Sequence, residues 1–166
     1  MNYTHLLLLA IALCAVTFLL VKPAASPLIH LANVAGGAYE FGVMTRTAEV
    51  DFTSRYLLGQ KGAADGSVIL NAADSAPLYI VEDERISGDV TACAVLGNAS
   101  GIRTVIGSGV IVEGEDILTD AGGKVQSEAN AAAGDYFRVG SAMSSATDDG
   151  EEVFIAHIKP VAVTIA

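Results

Sequence analysis

The sequence predicts an all-β chain: a small barrel or sandwich of short antiparallel strands, preceded by an apolar N-terminal helix and an extended arm. Three observations carry this. From Gly114 to Pro160, short segments of alternating character are separated by turns rich in Gly, Ala and Asp. The chain holds 17 glycines and four prolines, the residues that punctuate strands. Its apolar segments are brief and recur at the short, regular spacing of a sandwich or barrel. Trp is absent and aromatics make up 6% of the chain, so Val, Ile, Leu and Ala must supply the packing.

The elements follow in order. Leu6 to Val21 (LLLLAIALCAVTFLLV) is apolar apart from Thr17. It is short for a bilayer-spanning helix, which needs about 20 residues, and suits a signal-peptide core, a short anchor or a helix packed against sister subunits. No Lys or Arg precedes it, and Ala24-Ala25-Ser26 is the small-residue stretch that a signal peptidase would need. Residues 1–26 are therefore one segment and residues 27–47 a second. The latter, PLIHLANVAGGAYEFGVMTRT, mixes isolated apolar residues with Gly36-Gly37, lacks helical spacing and reads as an extended arm.

Residues 48–166 read as the β domain. Arg55 to Leu58 is a short strand closed by Gly59. Val68 to Leu70 and Leu78 to Val81 follow, split by the turn formers from Asn71 to Pro77. Asp89 to Leu96 (DVTACAVL) alternates, placing Val90, Ala92, Ala94 and Leu96 on one face. Arg103 to Ile106 and Gly109 to Val112 are two more strands around a Gly107-Ser108 bend. Asp120-Ala121-Gly122-Gly123, flanked by Ile117-Leu118-Thr119 and Lys124-Val125, signals a hairpin. Ser127 caps one helical turn, after which Tyr136 to Ala142 and Val153 to Ile158 complete the set. No internal repeat is evident.

Composition excludes several function classes. The formal net charge is -10, and from Ala48 onward 18 acids face seven Lys or Arg, so the surface repels phosphate backbones and nucleic-acid binding is not expected. Two cysteines, Cys14 in the apolar run and Cys93 in a strand, build neither a disulfide framework nor a zinc site. Ser108 between Gly107 and Gly109 and Ser100 beside Gly101 lack the spacing of a nucleophile elbow. Gly122-Gly123-Lys124 lacks the rest of a phosphate loop. Two acidic clusters, Glu82-Asp83-Glu84 and Glu113 with Glu115-Asp116, sit at strand ends, where solvated loops are the simpler reading than acid–base pairs. The turn Asp148 to Glu152 lacks the alternating oxygen ligands of a calcium loop. His5, His30 and His157 are scattered. The chain is not expected to be an enzyme, nor to carry a cofactor or metal.

The residues also resemble a family of tailed-phage head proteins, the capsid decoration, cement or head-fibre proteins. The likeness rests on His30-Leu31-Ala32-Asn33-Val34, on Ser54 to Gly59 with Lys61-Gly62, and on Thr119 to Gln126 (TDAGGKVQ). It continues through Ala133 to Gly140 (AGDYFRVG), Asp149-Gly150-Glu151, Ala156-His157 and Pro160. It covers roughly residues 28 to 164, and its specificity lies in the order and spacing of the pieces. The resemblance implies a small β domain added to the outside of an assembled shell, without catalysis. The implied partner is the major capsid protein, the implied form a homo-oligomer, a trimer first among the choices, and the implied location the virion surface. Leu6 to Val21 is not part of that pattern. It keeps a membrane contact open, along with the alternative of an exported or envelope-anchored β protein or an extracellular filament subunit.

An arm gains contact area cheaply, and multivalency multiplies weak contacts. The residues expected at the interface are therefore the apolar ones of the arm, Leu28, Ile29, Leu31, Val34, Tyr39 and Phe41, together with exposed strand edges.

Overall fold

The computed structural model describes residues 42–98 and 101–166. Its ten strands close into two five-stranded barrels. The first contains β1 (Val43–Ala48), β2 (Leu57–Lys61), β3 (Ser67–Leu70), β4 (Tyr79–Val81) and β5 (Val90–Val95), in the spatial order β1-β3-β2-β4-β5. Antiparallel pairing of β1 with β5, Thr45 opposite Ala92, shuts it. The second contains β6 (Ile102–Ser108), β7 (Asp116–Thr119), β8 (Val125–Ser127), β9 (Gly134–Ala142) and β10 (Asp149–Ile165). Its order is β10-β6-β8-β7-β9, with β9 returning to β10.

The two barrels have one wiring. Read in chain order, each runs first-third-second-fourth-fifth around its circumference. In each, the first and third strands are parallel, β1 with β3 and β6 with β8, while every other pair is antiparallel. The agreement extends to a detail outside the strands. Phe52, before β2, exchanges both backbone hydrogen bonds with Arg85, before β5 (2.7 and 3.1 Å). Ile111, before β7, does the same with Ala146, before β10 (3.0 and 2.9 Å). Both side chains are buried at 1% exposure. The described chain therefore carries one barrel topology twice in succession, a repeat of structure that no repeat of residue types announces.

Alternation explains the cores. Inward on the first barrel are Ala48, Leu57, Val68, Val81 and Cys93, with Phe52 and Tyr79. Their neighbours Leu58, Ile80, Ala94 and Leu96 point outward, and would be exposed on a lone barrel. They are buried because they belong to one cluster with Val105, Ile117, Val125, Val139, Val153 and Ile155 of the second barrel. Ile106 makes the reverse trade: it leaves β6 to join the first barrel's cluster. Burial of a side chain this size stabilises by roughly 1.5–3 kcal/mol, so these crossed residues fasten the barrels together.

Polar contacts finish the junction. The Asp120 to Lys124 turn lies on β2, with Gly123 N–H donating to Asn71 O at 3.0 Å. Gly123 has φ 74°, and a Cβ there would stand 2.6 Å from Leu58 O, so no other residue fits. The Thr119 hydroxyl donates to Ala73 O and accepts from Phe137 N–H at 3.0 Å.

Several expectations are corrected. The β domain begins before residue 48, because Val43 to Thr47, placed in the arm, form most of β1; half-polar VMTRTA alternates weakly, and only β5 and β3 on its flanks reveal it as a strand. The pairing is not wholly antiparallel, since each β2–β3 or β7–β8 hairpin carries its third strand back beside the first. Gly109 to Val112 is a connecting loop with one inward residue, Ile111. The strand from Arg55 begins later, at Leu57, because Tyr56 is left-handed at φ 62°. Gly59 does not close that strand: it continues through, with no room for a side chain, since a Cβ would meet Val68 Cγ2 at 2.6 Å. β10 runs past Pro160, which falls where the β9–β10 register shifts between His157 and Val161.

Candidate functional site

Most of the acidic groups weighed for acid–base chemistry are engaged in structure. Glu82 pairs with Arg103 at 3.1 Å and Asp83 with Arg85 at 3.3 Å. Asp116 faces Arg138 at 3.3 Å and accepts from Ser141 Oγ at 3.0 Å. Glu115 accepts from Val112 N–H at 2.8 Å, holding its own loop. In the acidic turn, Glu151 accepts from Thr147 N–H at 2.6 Å and Asp148 N–H at 3.3 Å, and these bonds, Thr147 first, hold its carboxyl below the usual range. Glu49 clamps a different loop, the β2–β3 turn, on the first barrel. It accepts from Ser67 Oγ, Ala64 N–H (2.7 Å) and Ala63 N–H (3.0 Å), and Ser67 contributes most to lowering its carboxyl. Among the described residues, no three His, Cys, Asp or Glu side chains converge as a metal site.

The remaining nucleophiles and bases are packed. Cys93 is fully buried, and desolvation pushes its thiol up to about 12, which makes it inert. Ser108 Oγ donates to Val125 O at 3.1 Å, tying β6 to β8. His157, at 9% exposure, accepts through Nδ1 from Gly97 N–H at 3.3 Å. Burial, then the charge of Arg103, lowers its pKa. Lys124 bonds Asp149 at 2.6 Å. His5, His30, Cys14 and Ser100 lie outside the described residues, as do all six arm residues expected at the interface: Leu28, Ile29, Leu31, Val34, Tyr39 and Phe41. Leu6 to Val21 lies outside them too; among the described residues, no helix is long and apolar enough to cross a membrane.

What the fold does present is a surface. A cleft of about 370 Å³ opens where the barrels meet, lined by Arg55, Tyr56, Ile80, Glu82, Ile102 and Arg103 among others. The Arg55 guanidinium lies 5.5 Å from the centre of the Tyr56 ring. The left-handed Tyr56 backbone carries the cost of a non-glycine residue in that region, a sign of a specified position. Beside the cleft, Ile102 on β6 (58% exposed), Phe154 on β10 (49%) and Met143 just past the end of β9 (46%) form an apolar band. Pairing sets this band: Phe154 lies opposite Thr104, Ala156 opposite Ile102, and Met143 N–H donates to Phe154 O at 2.7 Å. An aromatic side chain is thus presented outward beside the charged groups of the cleft. Sequence reasoning did not single out this band. The signal was present in VFIAHI: with Val153, Ile155 and His157 inward, Phe154 must face out.

Comparison with known proteins bears on the fold. No family model matches the chain, and no curated protein matches it. Among solved structures it is similar to the crystal structure of the head fiber gp8.5 N base of bacteriophage phi29, with a TM-score of 0.53 and 18% sequence identity. The likeness covers 75% of this chain and 97% of that one, a larger share than either barrel alone could supply. The likeness is one of fold: the all-β architecture is similar to that of the phi29 fiber base.

Proposed function

We propose that the protein is a structural, non-enzymatic capsid decoration protein of the head-fibre kind, which self-associates and binds the outside of a phage-type shell through the major capsid protein. The observation that carries this reading is the extent of the fold likeness: nearly the whole of the phi29 fiber base is matched. The surface supports it. Acidic groups are spent on clamping turns and pairing arginines, and what remains outward is rigid strand with an apolar band beside a cleft. An acidic exterior also discourages contact with packaged nucleic acid. The virion surface is the location that this function requires.

The test is co-sedimentation of the full-length protein with preassembled shells, with Phe154→Asp as the control. Micromolar binding that Phe154→Asp weakens at least tenfold is the expected result. A folded wild-type protein that stays in the supernatant overturns the proposal.

A further inference from the structure

The shared wiring shows where the second barrel departs from the first. β5 is a six-residue strand, whereas its counterpart β10 has 17 residues. β6 accompanies β10 from Asp149 only to Ala156. From Val161 to Ile165, β10 pairs with β9 alone, Val161 opposite Arg138 and Ile165 opposite Gly134. The barrel therefore continues as a two-stranded ribbon, and among the described residues the outer edge of β10 over 161–165 has no strand partner. Such an edge offers a row of backbone donors and acceptors, and soluble proteins ordinarily blunt it with charge, proline or a bulge. Here Pro160 and the register shift come before the segment, and nothing of that kind interrupts PVAVTIA afterwards.

Charge says what pairs there. In a molecule of net charge -10, Lys159 is the only Asp, Glu, Lys or Arg between Val153 and Ala166. Copies of an acidic protein repel one another almost everywhere else, but along this strip they meet without that cost. The ribbon's other strand begins with Gly134 and Asp135, whose carboxylate accepts from Thr164 Oγ1 at 2.7 Å, and its Arg138 is committed to Glu128 at 2.7 Å, so the charges of the ribbon belong to β9 and β10 brings none of its own over 161–165. An edge that is neutral and apolar is its own best complement, and a two-fold contact places the same strand on both sides.

We infer that β10 residues 161–165 pair antiparallel with the same segment of a second copy, Val163 opposite Val163 and Val161 opposite Ile165, joining two ribbons into one four-stranded sheet. This rests on the self-association in the reading above, makes that contact two-fold in place of the trimer the resemblance implies, and is independent of capsid binding, because the experiment contains no shell. Sedimentation of the full-length protein over a concentration series is expected to show association, and Val161→Lys with Val163→Lys to weaken it at least tenfold while circular dichroism stays unchanged. A second variant guards against misfolding. Val163→Cys in a Cys14→Ser background is expected to form a disulfide-linked pair on mild oxidation, since opposed residues of an antiparallel ladder lie within disulfide reach. Lys61→Cys, exposed on the first barrel, is expected not to. A wild type that stays monomeric, association untouched by the lysines, or protection in the monomer of those amides of 161–165 that point away from β9 would each overturn the inference; the last would mean that the chain covers its own edge.

Discussion

The two barrels share a wiring diagram and almost nothing else. The first fills its interior with Phe52, Tyr79 and Cys93, and lets Arg46 reach in to donate to the Tyr79 hydroxyl at 3.1 Å, its guanidinium 5.3 Å from the ring centre. The second is packed with aliphatic Val and Ile around Ala142 and Ala146. Each also clamps an acidic or glycine-rich loop with one glutamate, Glu49 in the first and Glu151 in the second, though from different loops. A closed five-stranded topology therefore asks only for inward alternation and turns of the right length, and either an aromatic or an aliphatic filling satisfies it.

That comparison can be broken at its cores. Phe52→Ala is expected to cost about 4 kcal/mol and Ile111→Ala about 3 kcal/mol, the range for emptying a buried site of that size. Because the clusters cross between barrels, both variants should lower the midpoint of one shared transition in chemical denaturation. Two separate transitions would show that the barrels are independent. A smaller effect tests the junction: Gly123→Ala should cost about 2 kcal/mol, from left-handed strain and the approach to Leu58 O. If its loss of stability fell below a few tenths of a kcal/mol, the turn would not be a fastening.

The smallest effect is one of pH. Burial and Arg103 favour the neutral ring of His157 in the folded protein, so its folded pKa lies below 6.5. As pH falls below 6.5 the unfolded chain takes up the proton first, and stability that is present above 6.5 is lost on the way down to the folded value. Denaturation measured at successive pH values should show this slope, and His157→Asn, which keeps an acceptor for Gly97 N–H, should flatten it. A proton resonance of His157 titrating at or above 6.5 would contradict the assignment.

Much of the second barrel was legible. TDAGGKV gave the β7–β8 hairpin, Ser127 the cap of a 3-10 turn through its bond from Ala129 N–H at 3.1 Å, and DVTACAVL the fifth strand of the first barrel. Those signals are local. β1 was hidden because VMTRTA depends on partners far along the chain, and the run of β10 beyond Pro160 because proline usually ends a strand in sequence. The repeated topology is not announced by residue types, since a barrel core accepts aromatic or aliphatic filling as long as the inward pattern persists. Of the candidate surface, Phe154 was readable from alternation, whereas Arg55 and Arg103 come together only across the barrel boundary.

The crossed packing of Leu58 and Ile106 has a further consequence. When two barrels lend each other core residues, each loses the ability to stand without its neighbour. Cut after Leu96, the first barrel would turn Leu58, Ile80, Ala94 and Leu96 to water; the second, alone, would do the same with Ile106. Each barrel thus relies on the other for part of its core, and the pair is expected to fold as a single unit.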